Sequence, residues 1–220
     1  MDASRKQLVI QVGVIAVSVP CILVAVVTAL DSSASQSTRV PTASYGPPQK
    51  PASPASFICS HCGKSHDGLP TDFGFTLPDE IFAMSKEERD AKAEWNTDIC
   101  QMGERRFIRG VLRIRFLDRQ GDFGWGVWVE VKRPVFDRYV ELYDHDASTE
   151  PPYTATLANQ PPGYGAALGM NVKLQFGAKS QRPTVDFPPD SKCLLATEQE
   201  QGMTEARYHE ILKALGTTEH

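Results

Sequence analysis

The chain has 220 residues, of which 41% are hydrophobic and 23% are charged, and its formal net charge at pH 7 is −4. All but four of its basic and all but two of its acidic side chains follow residue 56, so residues 57–220 are the more acidic part. Nucleic-acid binding needs clusters of Lys and Arg facing the phosphates, and this acidic balance without a basic block argues against that function.

The first part of the chain contains an uncharged run, Leu8–Leu30, preceded by Arg5 and Lys6 and followed by Asp31. As a helix it would span about 34 Å, enough to cross a hydrocarbon core of about 30 Å. We therefore predict a membrane anchor in residues 1–30, with a cytoplasmic N-terminus and the rest of the chain outside. The alternative is a cleaved signal peptide, whose apolar core is shorter, about 7–15 residues.

Residues 31–56 are rich in Ser, Thr, Pro and Ala and contain few large apolar side chains. Such a segment buries too little surface to offset the entropy lost on ordering, so we predict a flexible linker. Residues 57–220 are numerous enough to form a hydrophobic core, and we predict that they form one globular domain.

The globular part begins with a cysteine-containing stretch in which Cys59 and Cys62 are followed by Gly63. This spacing is typical of a zinc knuckle, in which two thiolates reach one tetrahedral site and the glycine permits a tight turn. One such pair supplies half a site. Cys100 and Cys193 would complete a four-thiolate set, and His66 is a substitute for one of them. Four protein ligands leave no open position, so we predict a structural zinc ion.

Two other interpretations of these cysteines stay open. An extracytoplasmic domain lies where thiols oxidise, so its four cysteines can form two disulfides. Alternatively, Cys100 and Cys193 are small apolar residues of the core. A thioredoxin-like redox pair needs a helix beginning at the cysteines, and the following Gly63, Gly68 and Pro70 argue against one.

The next segments combine helix signals with strand alternation. Pro78 precedes a short predicted helix, and Ser85–Glu88 has the pattern of a capping box, which predicts a helix to about Trp95. Alternating apolar side chains predict two strands, Phe107–Leu117 and Phe123–Val131, joined as a hairpin.

A further helix is predicted to start at Pro134 and to face the sheet with one apolar stripe, formed by Phe136, Tyr139, Val140 and Tyr143. The Pro- and Gly-rich stretch Asp144–Gly169 is predicted to be a long ordered loop covering one face of the sheet. The remaining elements are two short strands, Asn171–Phe176 and Thr184–Phe187, and a helix capped by Thr204. The predicted fold class is α+β, a small antiparallel sheet with helices packed mainly on one face.

No hydrolase, zinc-protease or phosphate-loop signature occurs in the sequence, and no catalytic or cofactor-binding residue is predicted. His145 and His209 are isolated. An alternative function is that of an enzyme with its site under the Asp144–Gly169 loop, using Glu150, Tyr153 or Asn159.

Several motifs occur in the order found in a known bacterial family. They are Cys59–Pro70, Leu77–Asp79, Asp98–Cys100, Phe107–Gly110, Gly124–Trp128, Glu150–Tyr153 and Glu198–Gln199. Through these motifs the chain resembles the family catalogued as domain of unknown function 2199, over nearly all of residues 57–215. The resemblance implies no activity. It places Cys59, Cys62, His66 and Cys100 within family motifs, and it implies a histidine at the position where this chain has Cys193.

Together these observations predict a membrane-tethered, zinc-stapled domain that binds a protein or an envelope component without catalysing a reaction. A second alternative is a cytoplasmic binding or immunity-type protein whose N-terminal extension comes from a mis-assigned start codon.

Overall fold

The computed structural model describes residues 71–215 and the backbone of three short strands before them. The strands are β1 (Leu8–Ile10), β2 (Phe57–Ile58), β3 (Ser65–His66), β4 (Asp72–Phe75), β5 (Ala93–Trp95), β6 (Ile99–Met102), β7 (Arg105–Arg115), β8 (Asp122–Val131), β9 (Tyr153–Leu157), β10 (Asn171–Gln175) and β11 (Thr184–Asp186). The helices are α1 (Asp79–Phe82), α2 (Lys86–Lys92), α3 (Arg133–Glu141), α4 (Leu194–Gln201) and α5 (Glu205–Ala214).

Five strands, β7 to β11, form a closed barrel. Consecutive strands pair antiparallel, and the barrel closes where β11 pairs with β7 in parallel, with Thr184 opposite Val111. In a meander of five strands the first and last run in the same direction, so the closing pair has to be parallel.

The barrel interior is filled by the alternate side chains of its strands. They include Ile108, Leu112, Val127, Val129, Ala155, Leu157, Val172, Leu174 and Val185, all at most 3% exposed. A Cβ added at Gly110 would lie 2.6 Å from Cγ2 of Val185, so the close approach of β7 and β11 requires a glycine there.

The sheet continues beyond the barrel on both sides. Strand β4 pairs in parallel with β8, and β1 pairs antiparallel with β4. On the other side β6 pairs with β7, and β5 forms the edge. An aromatic layer joins β4 to the barrel, because the Phe73 ring lies 6.0 Å from the Trp125 ring. The α+β prediction is confirmed, but the predicted small antiparallel sheet is wrong, since nine strands form one sheet with two parallel pairings.

The helices follow their predicted caps more closely than their predicted ends. Ser85 and Glu88 form the capping box at the start of α2. This helix ends at Lys92 instead of about Trp95, because Ala93–Trp95 pairs with β6 as strand β5. Thr204 caps α5 as predicted.

Two predictions about the chain around α3 are wrong. The predicted apolar stripe is only half buried, because Phe136 and Tyr139 lie in the core while Val140 and Tyr143 are each 47% exposed. The stretch Asp144–Gly169, predicted to be a loop, contains β9. β9 forms there because its buried Ala155 and Leu157 complete the barrel.

The predicted membrane anchor lies mostly outside the described residues. Leu8–Ile10 forms a strand on β4, so the predicted helix does not include these three residues. Within the described part of the chain, no helix is both long and apolar enough to cross a membrane. Gln11–Leu30 and the predicted linker, residues 31–56, are not described.

Candidate functional site

A cleft of about 380 Å³ lies where the end of α3 meets two connections of the sheet, the β5–β6 turn and the β10–β11 turn. We refer to it as the Asp98–Arg182 cleft. The other residues that line it are Tyr139, Leu142, Tyr143, Asp144, His145, Ala147, Phe176, Gly177, Ala178, Ser180 and Gln181. The polar residues come from three separate parts of the chain, so the cleft exists only once the barrel has closed.

Asp98 is the carboxylate at the centre of this cleft. Its Oδ1 accepts a hydrogen bond from Nε of Arg182 at 2.8 Å, and its Oδ2 accepts from the hydroxyls of Thr97 and Tyr143, each at 2.8 Å. Burial by itself raises the pKa of Asp98, but the bonds from Arg182, Thr97 and Tyr143 outweigh burial and lower this pKa. Asp98 is therefore an ionised acceptor with three donors already in place.

Two donors of the cleft lack hydrogen-bond partners among the described residues. Arg182 donates only through Nε, and its terminal Nη1 and Nη2 groups make no hydrogen bond there. The hydroxyl of Tyr139 makes none either, although Tyr139 is only 8% exposed. Burial, followed by the nearby Asp98 charge, raises the pKa of Tyr139, which keeps this hydroxyl protonated. The cleft thus contains a guanidinium fork and a hydroxyl that no described residue engages.

A second arginine lies behind the Asn96–Asp98 turn. Arg109 of β7 is 5% exposed, its Nη1 is 3.5 Å from the carbonyl oxygen of Thr97, and its Nε is buried without a hydrogen-bond partner. Burial first, and then the like charge of Arg182, lower the pKa of Arg109 to about 10. A Cβ at Gly74 would lie 2.2 Å from Nη2 of Arg109, so the guanidinium occupies space that only a glycine leaves open.

The rim of the cleft contains an unusual backbone conformation. Ser180, in the turn between β10 and β11, has a φ of 66°, the one positive φ of a non-glycine residue in the described part. A residue other than glycine, asparagine or aspartate in this region costs conformational energy. The turn that carries Arg182 therefore has a defined, strained shape.

The cleft contains two side chains of the kinds used in nucleophilic catalysis, the hydroxyl of Ser180 and the imidazole of His145. Nucleophilic catalysis needs a hydroxyl or thiol joined to a free base. Within the described cleft, no hydrogen bond joins the Ser180 hydroxyl to the His145 imidazole. The Tyr143 hydroxyl donates to Asp98, and this bond, with burial, raises the pKa of Tyr143. Asp98 itself is engaged by three donors and is a poor proton acceptor.

The predicted zinc ligands are only partly covered by the described residues. Cys59 and Cys62 lie outside them, between the paired strands β2 and β3, and the side chain of His66 is not described. Cys100 is buried in β6, and burial raises the pKa of its thiol to about 12. Cys193 caps α4, its sulfur accepting from the backbone N–H of Ala196 at 3.4 Å.

These two cysteines are free thiols, so a disulfide between Cys100 and Cys193 is absent. Among the described residues no group of three or more metal-ligating side chains occurs. The described residues do not include Cys59 and Cys62. The four-cysteine zinc site is therefore not tested and stays a prediction.

The three candidate residues of the alternative enzyme do not form one described cluster. Asn159 is fully buried and binds the backbone N–H of Trp128, the carbonyl of Leu77 and the Asp79 carboxylate. Glu150 instead accepts hydrogen bonds from Arg138 and Tyr153. Each side chain already has a structural role, and no hydrogen bond between described residues links the two groups.

Sequence reasoning missed the residues that matter most in the cleft. Asp98 and Arg109 entered only as members of family motifs, and Arg182 was not singled out. Arg109 gave a usable signal, because it is a charged residue within a strand otherwise read as half buried. Arg182 follows an unremarkable polar turn, and only the fold brings it to Asp98.

Comparison with known proteins gives one match. A family model described as "Uncharacterized protein conserved in bacteria (DUF2199)" matches residues 58–203, more than half of the chain. Neither the curated proteins nor the solved structures give a match.

Proposed function

The chain belongs to the DUF2199 family of bacterial proteins, and we propose that its domain is a non-catalytic binding module. The proposed binding site is the Asp98–Arg182 cleft, and the proposed partner is a protein. Membership of the family brings no activity with it, so the proposal depends on the geometry of the cleft.

The observation that carries the proposal is a preformed cleft in which the guanidinium fork of Arg182 and the Tyr139 hydroxyl have no partner among the described residues. Neither the Nη groups of Arg182 nor the Tyr139 hydroxyl is a buried unpaired atom, so these groups are open to the cleft and available to a ligand. Tyr139 and Arg182 both have donors without partners among the described residues, and both line a cleft of about 380 Å³. This volume lies within the range of small-ligand sites, roughly 300–1,000 Å³.

Aromatic side chains support binding of an organic group. The Tyr139 ring lies 5.2 Å from that of Phe176 and 5.8 Å from that of Tyr143. Aromatic rings next to a few polar groups are typical of recognition sites, because the rings supply contact area and the polar groups fix orientation.

A cleft-filling substitution tests the proposal. Ala178 lines the cleft, and Ala178→Trp would occupy part of its volume. The matched control is Ala91→Trp, on the exposed surface of α2. The native chain and both variants are cross-linked to their partners inside the bacterium that makes the protein. We expect at least one partner protein to be cross-linked to the native chain and to Ala91→Trp but not to Ala178→Trp. Quantitative mass spectrometry measures both. A partner captured equally by all three chains would contradict binding through this cleft.

We also propose that Cys59, Cys62, Cys100 and Cys193 hold a structural zinc ion. The support is the CxxC spacing between the paired strands β2 and β3. Metal analysis of the purified chain should give one zinc per chain, reduced by Cys59→Ser and unchanged by the control Cys21→Ser. Absence of zinc from the native chain, or equal zinc in both variants, would contradict the site.

The membrane anchor in residues 1–30 and the extracytoplasmic location stay proposals as well. They depend on the uncharged run that follows Arg5 and Lys6. Reporter fusions at residue 56 would separate the two locations, because a periplasmic reporter is active only if the chain crosses the membrane. An active cytoplasmic reporter would instead favour the cytoplasmic alternative.

A further inference from the structure

We propose that the group bound in the Asp98–Arg182 cleft is a carboxylate of the partner protein, either its C-terminal carboxylate or an Asp or Glu side chain. This inference depends on the proposed function, because it names the ligand chemistry of the same cleft. Three features of the cleft support a carboxylate ligand. They are the hydrogen-bonding groups of Arg182 and Tyr139 that lack partners among the described residues, the charges of Arg109, Arg182 and Asp98, and the planar shape of the Arg182 guanidinium.

The free donors of Arg182 have the geometry that a carboxylate matches. A guanidinium has five N–H groups in a rigid plane, and Nε of Arg182 uses one of them on Asp98. The terminal Nη1 and Nη2 groups form a fork that binds the two oxygens of a carboxylate through parallel hydrogen bonds. The Nε bond anchors the side chain, so less conformational entropy is lost when a ligand binds.

Tyr139 supplies a second donor in the same cleft. Tyr139 as a residue is only 8% exposed, and its hydroxyl has no hydrogen-bond partner among the described residues. This hydroxyl is not one of the buried unpaired atoms, so it is open to the cleft. It interacts electrostatically with both Asp98 and Arg182, so it lies near the same charges. The Nη groups of Arg182 can only donate and the Tyr139 hydroxyl can donate as well, so a ligand that accepts hydrogen bonds complements both.

The charge of the cluster favours an anion over a neutral acceptor. Two guanidinium groups, those of Arg109 and Arg182, interact with the single carboxylate of Asp98 and repel each other. Asp144 also lines the cleft, but it is exposed and its charge is screened by water. A ligand carboxylate would balance the second positive charge.

The walls of the cleft favour an organic carboxylate over an inorganic anion. Phe176, Leu142 and Ala147 line it next to the polar groups. A peptide carboxylate brings a carbon framework that covers such a surface, whereas phosphate would leave the apolar walls in contact with water. Capture of carboxylates by forked arginines and turn backbones is a general mode of peptide recognition.

The experiment is a titration of the 15N-labelled full-length chain followed by NMR. The probes are N-acetylglycine, which carries a C-terminal carboxylate, and N-acetylaspartate α-amide, which carries only a side-chain carboxylate. N-acetylglycinamide, without a carboxylate, and inorganic phosphate are the comparison compounds. We expect saturable shifts of the Gly177 and Ser180 amide signals with at least one carboxylate probe, and the tighter of the two identifies the source.

Variants connect this binding to Arg182. Arg182→Lys keeps the positive charge but lacks the fork, and we expect about tenfold weaker carboxylate binding. Tyr139→Phe removes one donor and should weaken binding about three- to tenfold. Arg133→Lys is the control, because Arg133 is 65% exposed on α3 and does not line the cleft. Unchanged unfolding midpoints would show that the variants fold.

The inference is overturned if N-acetylglycinamide or phosphate binds as tightly as both carboxylates, if neither carboxylate binds, or if Arg182→Lys binds unchanged. A failure here is distinguishable from failure of the proposed function. A partner that is still lost with Ala178→Trp while no carboxylate binds would keep the binding module and reject its carboxylate ligand.

Discussion

Two arginine–carboxylate clusters of this domain differ in how many of their donors are used. In the first, around Glu198, Arg207 donates through Nε to Glu198 at 2.7 Å, through Nη1 to Glu210 at 2.9 Å and through Nη2 to the carbonyl of Gly163 at 2.6 Å. Tyr164 donates its hydroxyl to Glu198 at 2.6 Å. In the second, the Asp98–Arg182 cleft, Arg182 donates through Nε alone.

The difference indicates two roles for the same pair of residue types. The Glu198 cluster joins α4 and α5 to the loop before β10, and its donors are satisfied from within the protein. The Asp98–Arg182 cleft leaves a guanidinium fork and the Tyr139 hydroxyl unpaired. Satisfied buried networks stabilise and specify a fold, whereas unpaired donors in a cleft are available to a ligand.

The largest effect on the free energy of unfolding is expected when the arginine of each cluster is removed. Arg207→Ala would leave Glu198, whose side chain is 10% exposed, without its cation, and we expect a loss of about 3–5 kcal/mol in the free energy of unfolding. Arg182→Ala should cost only about 1 kcal/mol, because Arg182 is 31% exposed and Asp98 keeps its bonds from Thr97 and Tyr143. Urea unfolding monitored by tryptophan fluorescence measures both. Equal losses would remove the distinction between the clusters.

Asn159, in the loop after β9, is another buried polar residue whose hydrogen bonds are satisfied within the protein. Asn159 is fully buried, and its side chain holds Trp128, Leu77 and Asp79 together. Asn159→Ala would remove the acceptor of the Trp128 N–H and the amide donor to the Leu77 carbonyl and the Asp79 carboxylate, and we expect a loss of about 2–4 kcal/mol in the free energy of unfolding. Gln160→Ala in the same loop is a less buried comparison. If the Asn159→Ala variant unfolded at the same urea concentration as the native chain, the bonds of Asn159 would not stabilise the fold. Asn159 would then be available for another role.

Asn159 also shows where sequence reasoning stops. Alternation located β7 and β8 within two residues, because one face of each strand is buried and local pattern reports burial. Closure of the barrel was not predictable, since it depends on β9, a five-residue strand in a Pro- and Gly-rich stretch, and on a parallel pair between residues more than seventy positions apart. Asn159 was noticed as a polar residue in a loop, but two of its three partners, Leu77 and Asp79, lie about eighty residues earlier.

The cleft was still harder to find from the sequence. Asp98 and Arg182 meet because β6 and β11 both pair with β7. A two-residue turn, residues 103–104, joins β6 to β7 locally, but the pairing of β11 with β7 has no local signal. The cysteine motif, in contrast, is read directly from its spacing. The cysteine spacing therefore gives a prediction that the described residues do not test, whereas the meeting of Asp98 and Arg182 is seen only in the fold.

Two tyrosine-to-phenylalanine substitutions compare the clusters by removing one hydroxyl from each. Tyr164→Phe removes a hydroxyl that donates to Glu198, and we expect a loss of about 1–2 kcal/mol in the free energy of unfolding. Tyr139→Phe removes a hydroxyl without a described partner and should change the free energy by about 0.5 kcal/mol or less. Both rings stay in the core, so urea unfolding isolates the hydroxyls. A larger loss for Tyr139→Phe would mean that its hydroxyl has a partner within the protein.

The last expected effect depends on pH. The pKa of Asp98 is lowered in the folded chain, because the bonds from Arg182, Thr97 and Tyr143 outweigh the opposing effect of burial. A carboxylate with a lowered folded pKa stabilises the fold fully above its unfolded value of 3.8, and this contribution is lost as the pH falls through the folded pKa. Asp98→Asn should therefore cost about 1 kcal/mol at pH 7 and progressively less below pH 3.8. Urea unfolding of both chains between pH 7 and pH 3 measures the difference, with Asp137→Asn on the exposed face of α3 as the control. A difference that grows on acidification would contradict an ionised Asp98 held by Arg182, and with it the charge balance that leaves the second guanidinium for a ligand.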